Sequence, residues 1–223
     1  MSSDVEICNM ALSHLGDSAT VASIDPPEGS SQAEHCARWY PVARDSLLEM
    51  HDWSFSLSRV VLAPVTNIWP EWRYAYARPS NASKIISVLS IDAQSDFTIG
   101  YRSTDWCGFG RGGSQTVVET PQDFTCETDA DGQEIIYTNM PNAVARFKRD
   151  SVDTSRYSSL FRDTLGWYLA SFLAGPVLKG DSGIAAAGKM MQAAMGILAQ
   201  AKMLDAAQQR QQIDHVAPWL AVR

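Results

Sequence analysis

Cysteine is scarce, and the four that occur, Cys8, Cys36, Cys107 and Cys126, lie far apart with no C-x-x-C pair among them. That spacing speaks for reduced structural thiols rather than a disulfide framework or a zinc centre. Long apolar runs are missing too. The longest, Leu165 to Leu178, contains Gly175 and Pro176 and falls short of the roughly 20 residues a bilayer span needs, so it reads as buried helix. No basic region precedes an apolar run near Met1, and synthesis and folding in the cytoplasm are the expectation. Basic charge is in deficit, with 18 Lys and Arg against 25 Asp and Glu, a net of -7. Such a balance argues against gripping nucleic acid by neutralising phosphates, but not against letting DNA pass.

Catalytic signatures are equally sparse. There is no G-x-S-x-G, no H-E-x-x-H and no P-loop. Gly108 to Gly113 formally matches G-x-G-x-x-G, yet Thr116-Val117-Val118 follows as a strand where a helix N-terminus would have to receive the pyrophosphate. Asp129-Ala130-Asp131-Gly132 begins like a calcium loop but has Met140 in the place of the bidentate glutamate, so it reads as a hairpin turn. His14, His35, His51 and His215 are scattered, and Asp45 and Glu49 sit one turn apart on a polar helix face where solvated carboxylates are expected. No catalytic, cofactor-binding or metal-ligating residue is assigned.

What the chain does contain is helical periodicity at both ends and alternation between them. Ser3 with Glu6 forms a capping box, and Cys8, Ala11, Leu12 and Leu15 make a face that Gly16 ends. Asp17 to Ser30 is a connecting loop with Val21 and Ile24 turned inward. Ser31 with Glu34 predicts a second capping box, opening a helix to about Met50 whose stripe is Ala33, Cys36, Ala37, Tyr40, Ala43, Leu47 and Leu48. Pro41 predicts a kink in it or a division into two. Trp53 and Phe55 need burial outside that helix.

From Val65 alternation predicts strands at Trp72 to Ala77, Lys84 to Ile91, Phe97 to Tyr101, Gln115 to Glu119, Phe124 to Cys126, Gln133 to Asn139 and Ala143 to Arg149. Ser103 to Ser114 reads as a glycine-rich loop. Beyond Asp150 a broad face of Phe161, Leu165, Tyr168, Leu169, Phe172 and Leu173 predicts a helix that stops at Gly175-Pro176. Asp181 is expected to cap the last helix, with a stripe of Ile184, Ala187, Met191, Ala194, Leu198 and Ala201. Ala186, Gly188, Ala193 and Gly196 keep its other sides thin enough for a helix of this chain or of a neighbour to approach closely. After the polar tract Gln208 to Gln212, the segment containing Val216, Pro218, Trp219, Leu220, Val222 and Arg223 either docks into a groove or folds back on its own helices.

The expected fold class is therefore α+β. Residues 1–64 and 151–209 are predicted to form a helical bundle, 65–150 an inserted β-rich subdomain, and 210–223 an extended C-terminal tail.

Ile7-Cys8-Asn9-Met10-Ala11-Leu12 with His14-Leu15-Gly16, followed by a tyrosine-bearing helix and Trp53-Ser54-Phe55, resembles the opening of the phage tail tubular protein A relatives, the head-to-tail adaptors. Ile136-Tyr137-Thr138-Asn139, Ala145-Arg146-Phe147, Asp153, Leu160-Phe161 and Trp167 to Gly175 resemble the same family's passage from β insertion to C-terminal helices. Ile91 to Pro121 and the tail after Gln212 carry no motif of the family. The resemblance implies a virion protein of the tail connector, assembled in the host bacterial cytoplasm, without enzymatic activity or cofactor. Its partners would be the portal protein, a downstream tail tube or nozzle protein, and copies of itself in a ring of about twelve through which DNA passes. It implies that Ala186, Gly188, Ala193 and Gly196 pack subunits and that the tail, Val216 to Arg223, docks into the portal or adjacent ring. Two other classes fit the composition: a tail accessory module binding a receptor or glycan through Trp72, Tyr74 and Tyr76, and a cell-wall hydrolase using paired carboxylates.

Overall fold

The computed structural model describes residues 3–18, 20–91, 93, 122–150 and 153–208. Its fold is α+β, with four α-helices and two antiparallel sheets among the described residues. The chain divides into two compact units, Met1–Phe55 with Asp153–Arg223, and Ser56–Val152. The predicted strands at 97–101 and 115–119, the loop at 103–114 and the tail at 210–223 lie outside the described residues.

The helical unit contains α1 (Asp4–His14), α2 (Ser31–Glu49), α3 (Ser159–Leu178) and α4 (Gly180–Gln208). Helix α3 packs against each of the other three. This explains its composition, because a helix with neighbours on several sides buries residues all round, and Phe161, Thr164, Leu165, Gly166, Tyr168, Leu169, Ala170, Ser171, Leu173 and Ala174 are buried. The Met10 side chain of α1 lies over Gly166, filling the space that a Cβ there would take.

The capping box of α1 forms as expected: Ser3 Oγ accepts from the Glu6 amide, and Glu6 accepts from the Ser3 amide at 3.1 Å. At its other end Gly16, at φ 76°, allows the Asp17 amide to reach the Leu12 carbonyl at 3.1 Å and its own amide to reach Ser13, a Schellman closure. The loop beyond is drawn onto α1 by Asn9, whose side-chain amide pairs with both backbone groups of Val21 at 2.7 and 2.9 Å. Val21 is buried as expected.

Helix α2 departs from expectation at its start. Its cap is Ser30 rather than Ser31, with the Ser30 hydroxyl accepting from the Ala33 amide at 3.2 Å. Ala33 then stands where Glu34 would have to stand to reciprocate, and Ser30 Oγ donates instead to Glu28 at 2.9 Å. Pro41 neither divides nor ends the helix, which continues to Glu49. Of the predicted stripe, Ala33, Cys36, Tyr40, Ala43, Leu47 and Leu48 are buried and Ala37 is half-buried at its edge, and Trp39 stacks on Phe172 of α3 with ring centroids 5.4 Å apart.

Past Met50 the chain turns under Trp53, which is fully buried. Its ring lies edge-on to Phe161 at 4.9 Å, and Phe55 also packs on Phe161 at 5.2 Å. The indole Nε1 donates to the Leu47 carbonyl at 3.0 Å, satisfying one of the acceptors that a helix C-terminus leaves open.

The β unit begins earlier than Val65. Strand β1 is Leu57–Val61 and β2 is Pro64–Val65. β1 escaped prediction because its burial does not alternate, with Arg59, Val60 and Val61 all exposed in succession. β3 (Tyr74–Ala77), β4 (Ala82–Leu89), β5 (Phe124–Thr128), β6 (Glu134–Thr138) and β7 (Val144–Arg149) complete it. One sheet has the order β1-β7-β4 and the other β2-β3-β6-β5. A shared core of Ile85 and Val88 from β4, Ala145 and Phe147 from β7, Tyr76 from β3 and Ile136 from β6 draws on both. The Asp129–Gly132 segment is a hairpin turn between β5 and β6, with Gly132 at φ 78° and its amide donating to the Asp129 carbonyl at 2.9 Å.

No helix among the described residues is long and apolar enough to cross a membrane.

Candidate functional site

Helix α4 is the feature of this chain with the least internal explanation. Its start differs from expectation on both sides. Pro176 lies inside the last turn of α3, which runs on to Leu178, and the reversal is made by Lys179 and Gly180 at φ 54° and 65°. Asp181 therefore sits in the first turn of α4 rather than capping it.

Gly183 is the point of closest approach in this αα-hairpin. A Cβ there would lie 2.9 Å from the Ala174 carbonyl oxygen and 3.3 Å from the Gly175 Cα, so only glycine fits. That contact sets the rotation of α4. Its buried face is Gly183, Ala194, Leu198, Ala201 and Asp205, and Ile184, predicted to line the inner stripe, is 74% exposed. Met203 is exposed to the same extent, and Leu204, Met195, Gly188 and Gly196 are exposed as well.

The four residues expected to pack subunits therefore split. Gly188 and Gly196 stand on the outward surface, with no atom of the described residues within 4 Å of where a Cβ would be. Ala186 and Ala193 are half-buried along the flank of the helix. Charges are few: only Asp181, Lys189, Lys202 and Asp205 occur in its 29 residues, and Asp205 is turned inward. An ordinary solvated helix face is rich in charge and poor in glycine. Because nothing among the described residues crowds Gly188 and Gly196, replacing both by alanine is expected to stabilise the isolated chain by about 1–2 kcal/mol, read as a higher urea midpoint.

The far end of α4 is held by Asp205. This buried carboxylate accepts from the Ser54 hydroxyl at 2.6 Å and from the Ser54 amide at 3.1 Å, and it bonds His51 Nε2 at 3.0 Å. Gln208 adds a bond to Ser54 Oγ at 3.2 Å. Nothing in the sequence pattern marked Asp205, which lies about 150 residues from its partners and inside a helix face of small residues. Serine, histidine and aspartate thus meet, but both Ser54 and His51 bond to the aspartate instead of to each other. A nucleophile needs its base within hydrogen-bond reach, so the arrangement anchors rather than activates. It fixes the last turn of α4 at the point where the chain continues into residues 209–223.

No family model matches the chain, and no curated protein does.

The other expected sites are resolved by position. Val216, Pro218, Trp219, Leu220, Val222 and Arg223 lie outside the described residues. The aromatic row is broken: Tyr76 is buried in the shared core with its hydroxyl donating to the Met140 carbonyl, and Tyr74 is exposed beside it. Trp72, which precedes β3, packs instead with Ala75, Ile135 and Tyr137. Alternation failed here because Trp72 is not in the strand, and of the three rings Tyr74 and Tyr76 lie side by side with centroids 6.4 Å apart.

Asp45 is bonded to Arg44 at 2.8 Å on an exposed surface, with Glu49 also exposed. His14 stacks on Trp167 at 3.8 Å, and burial pulls its pKa down against the opposing pull of Asp163. No cluster of three or more His, Cys, Asp or Glu side chains among the described residues is placed to hold a metal ion.

The β unit offers one further outward element. Between β2 and β3, Asn67 accepts from the Trp69 amide at 3.0 Å and donates to the Trp72 carbonyl, which braces the loop with Ile68 and Trp69 exposed.

Proposed function

We propose that the chain is a structural virion protein, a phage head-to-tail adaptor that forms a ring between the portal and the downstream tail tube or nozzle and leaves a passage for DNA. The observation that carries the reading is the outward surface of α4. Ile184, Met195, Met203 and Leu204 are exposed there around glycines with open space above them, a surface that a neighbouring subunit would cover. The motifs shared with adaptors, in the same order along the chain, support the same assignment. So does the net charge of -7, which suits a passage through which DNA slides without sticking.

In this reading α4 packs copy against copy in a ring of about twelve, a heterologous contact that closes by rotation. The tail from Val216 to Arg223 docks into the portal, and the braced Ile68–Trp69 loop meets the downstream component. The site of action is the virion, with no membrane partner, no cofactor and no catalysis.

The test is native mass measurement of the chain alone and mixed with portal rings, beside a variant lacking Val216 to Arg223. The full chain is expected on portal rings as a closed ring of adaptor copies. The truncated chain is expected to keep its helical spectrum and to be absent from portal rings in electron micrographs. Normal assembly by the truncated chain would overturn the role of the tail. A full chain that stays monomeric with and without portal would overturn the ring.

A further inference from the structure

Two hydrogen bonds fix how α1 and α2 lie against each other. Tyr40 Oη donates to Asp4 Oδ1 at 2.9 Å, and Gln32 Nε2 donates to Asp17 Oδ2 at 3.4 Å, so low numbers on one side meet high numbers on the other and the helices run antiparallel. One turn forward from Asp4 is Cys8, and one turn back from Tyr40 is Cys36. The register therefore puts the two cysteines opposite each other across the helix pair. Both are fully buried and reduced. Ala11 and Ala33, also fully buried, stand about one turn along on either helix, and such small side chains let the backbones come close.

We propose that Cys8 and Cys36 are a latent redox staple, which a two-electron oxidant of the peroxide class closes into a disulfide tying α1 to α2. The pairing of the two thiols prepares the chemistry. The neighbouring Cys8 thiol draws the Cys36 pKa down, while Cys36 and burial hold Cys8 up as the proton-bearing partner.

In the first step the Cys36 sulfur attacks one peroxide oxygen. The O–O bond breaks, and hydroxide leaves and takes a proton to become water, giving the sulfenic acid of Cys36. In the second, Cys8 gives up its proton and its sulfur attacks the Cys36 sulfur. The S–O bond breaks, and the departing hydroxide combines with the released proton as a second water. Two thiols lose two electrons and two protons, and one hydrogen peroxide becomes two waters. Because both sulfurs are out of contact with solvent, the reaction waits on local opening of α1 and is slow beside oxidation of the exposed Cys126.

The experiment exposes the full native chain to hydrogen peroxide, removes the oxidant with catalase, unfolds the protein in iodoacetamide and maps the peptides by mass. The expected result is a peptide pair joined through Cys8 and Cys36, lighter by two hydrogens than the free peptides and separated again by dithiothreitol. The oxidised protein is expected to melt about 5 °C higher, because the cross-link removes freedom from the unfolded chain. Recovery of both residues as alkylated thiols after exposure prolonged well past complete oxidation of Cys126, under mild urea that speeds local opening without unfolding the chain, would overturn the proposal. So would sulfinic or sulfonic acids at these positions, or links from Cys8 to any cysteine other than Cys36.

Discussion

Replacing Trp53 with alanine is expected to cost the helical unit about 4–5 kcal/mol. The ring is fully buried, faces Phe161 edge-on at 4.9 Å and His51 at 4.8 Å, and is the donor to the Leu47 carbonyl at the end of α2. Truncation leaves a cavity that Phe55 and Phe161 cannot fill without leaving their own contacts, and it removes the indole from an acceptor that the helix cannot satisfy itself. Against a typical total stability of about 5–15 kcal/mol, the loss brings the unit close to unfolding at ordinary temperature. Trp53→Phe separates the two contributions. It keeps most of the ring packing and loses the donor, so about 1–2 kcal/mol is expected. Urea unfolding of the two variants reads the difference, and an alanine variant within about 1 kcal/mol of the parent would contradict the packing described.

The second large effect is expected at Asp205. Its carboxylate gathers the Ser54 amide, the Ser54 hydroxyl and His51 Nε2 at a buried position on the last turns of α4. Asp205→Ala removes the shared acceptor from all of them and leaves the Ser54 amide, at the start of its 3-10 turn, without the carboxylate, for an expected cost of about 3 kcal/mol. Asp205→Asn preserves the shape and one good acceptor oxygen, and about half of the loss should return. The effect should also be local. Amide hydrogen exchange is expected to quicken through the final two turns of α4 and to stay slow at Leu169 in the middle of α3, which a general loss of stability would not produce.

How much of this was legible beforehand depends on how local the governing physics is. The caps of α1, the buried stripe of α2 and the β5–β6 hairpin turn were readable, because each is decided by residues within one or two turns of each other. The rotation of α4 was not, since Gly183 matters only through the backbone of Ala174 and Gly175 on another helix. Ile184 belongs to a helical stripe by spacing and yet is exposed, because the tight crossing at Gly183 turns it outward. Pro176 looked like a terminator and instead occupies the final turn of α3, where Lys179 makes the reversal. Strand β1 was hidden by an edge position that exposes consecutive residues, and Trp72 was misassigned because one face of alternation was extended two residues past its strand.

Of the candidate site, Gly188 and Gly196 were identifiable as unusual residues for a helix interior, but only the fold distinguishes them from Ala186 and Ala193. Asp205 carried no local signal at all. Its meaning lies in Ser54 and His51, brought to it from the opposite end of the chain.

The position of α3 at the hub of the helical unit also dictates an order of events during synthesis. Helices α1 and α2 leave the ribosome first, but the surface that covers their apolar faces is written more than a hundred residues later, beginning at Ser159. At an elongation rate of about 5–20 residues per second, the two helices wait about 5–20 s with Cys36, Tyr40, Leu47 and Trp53 uncovered. During that interval the intervening β segments emerge and can pair among themselves, so the middle of the protein is completed before its beginning. A ribosome that stalls between Arg149 and Ser159 would release a chain whose β unit is whole and whose first two helices are open to proteases and chaperones.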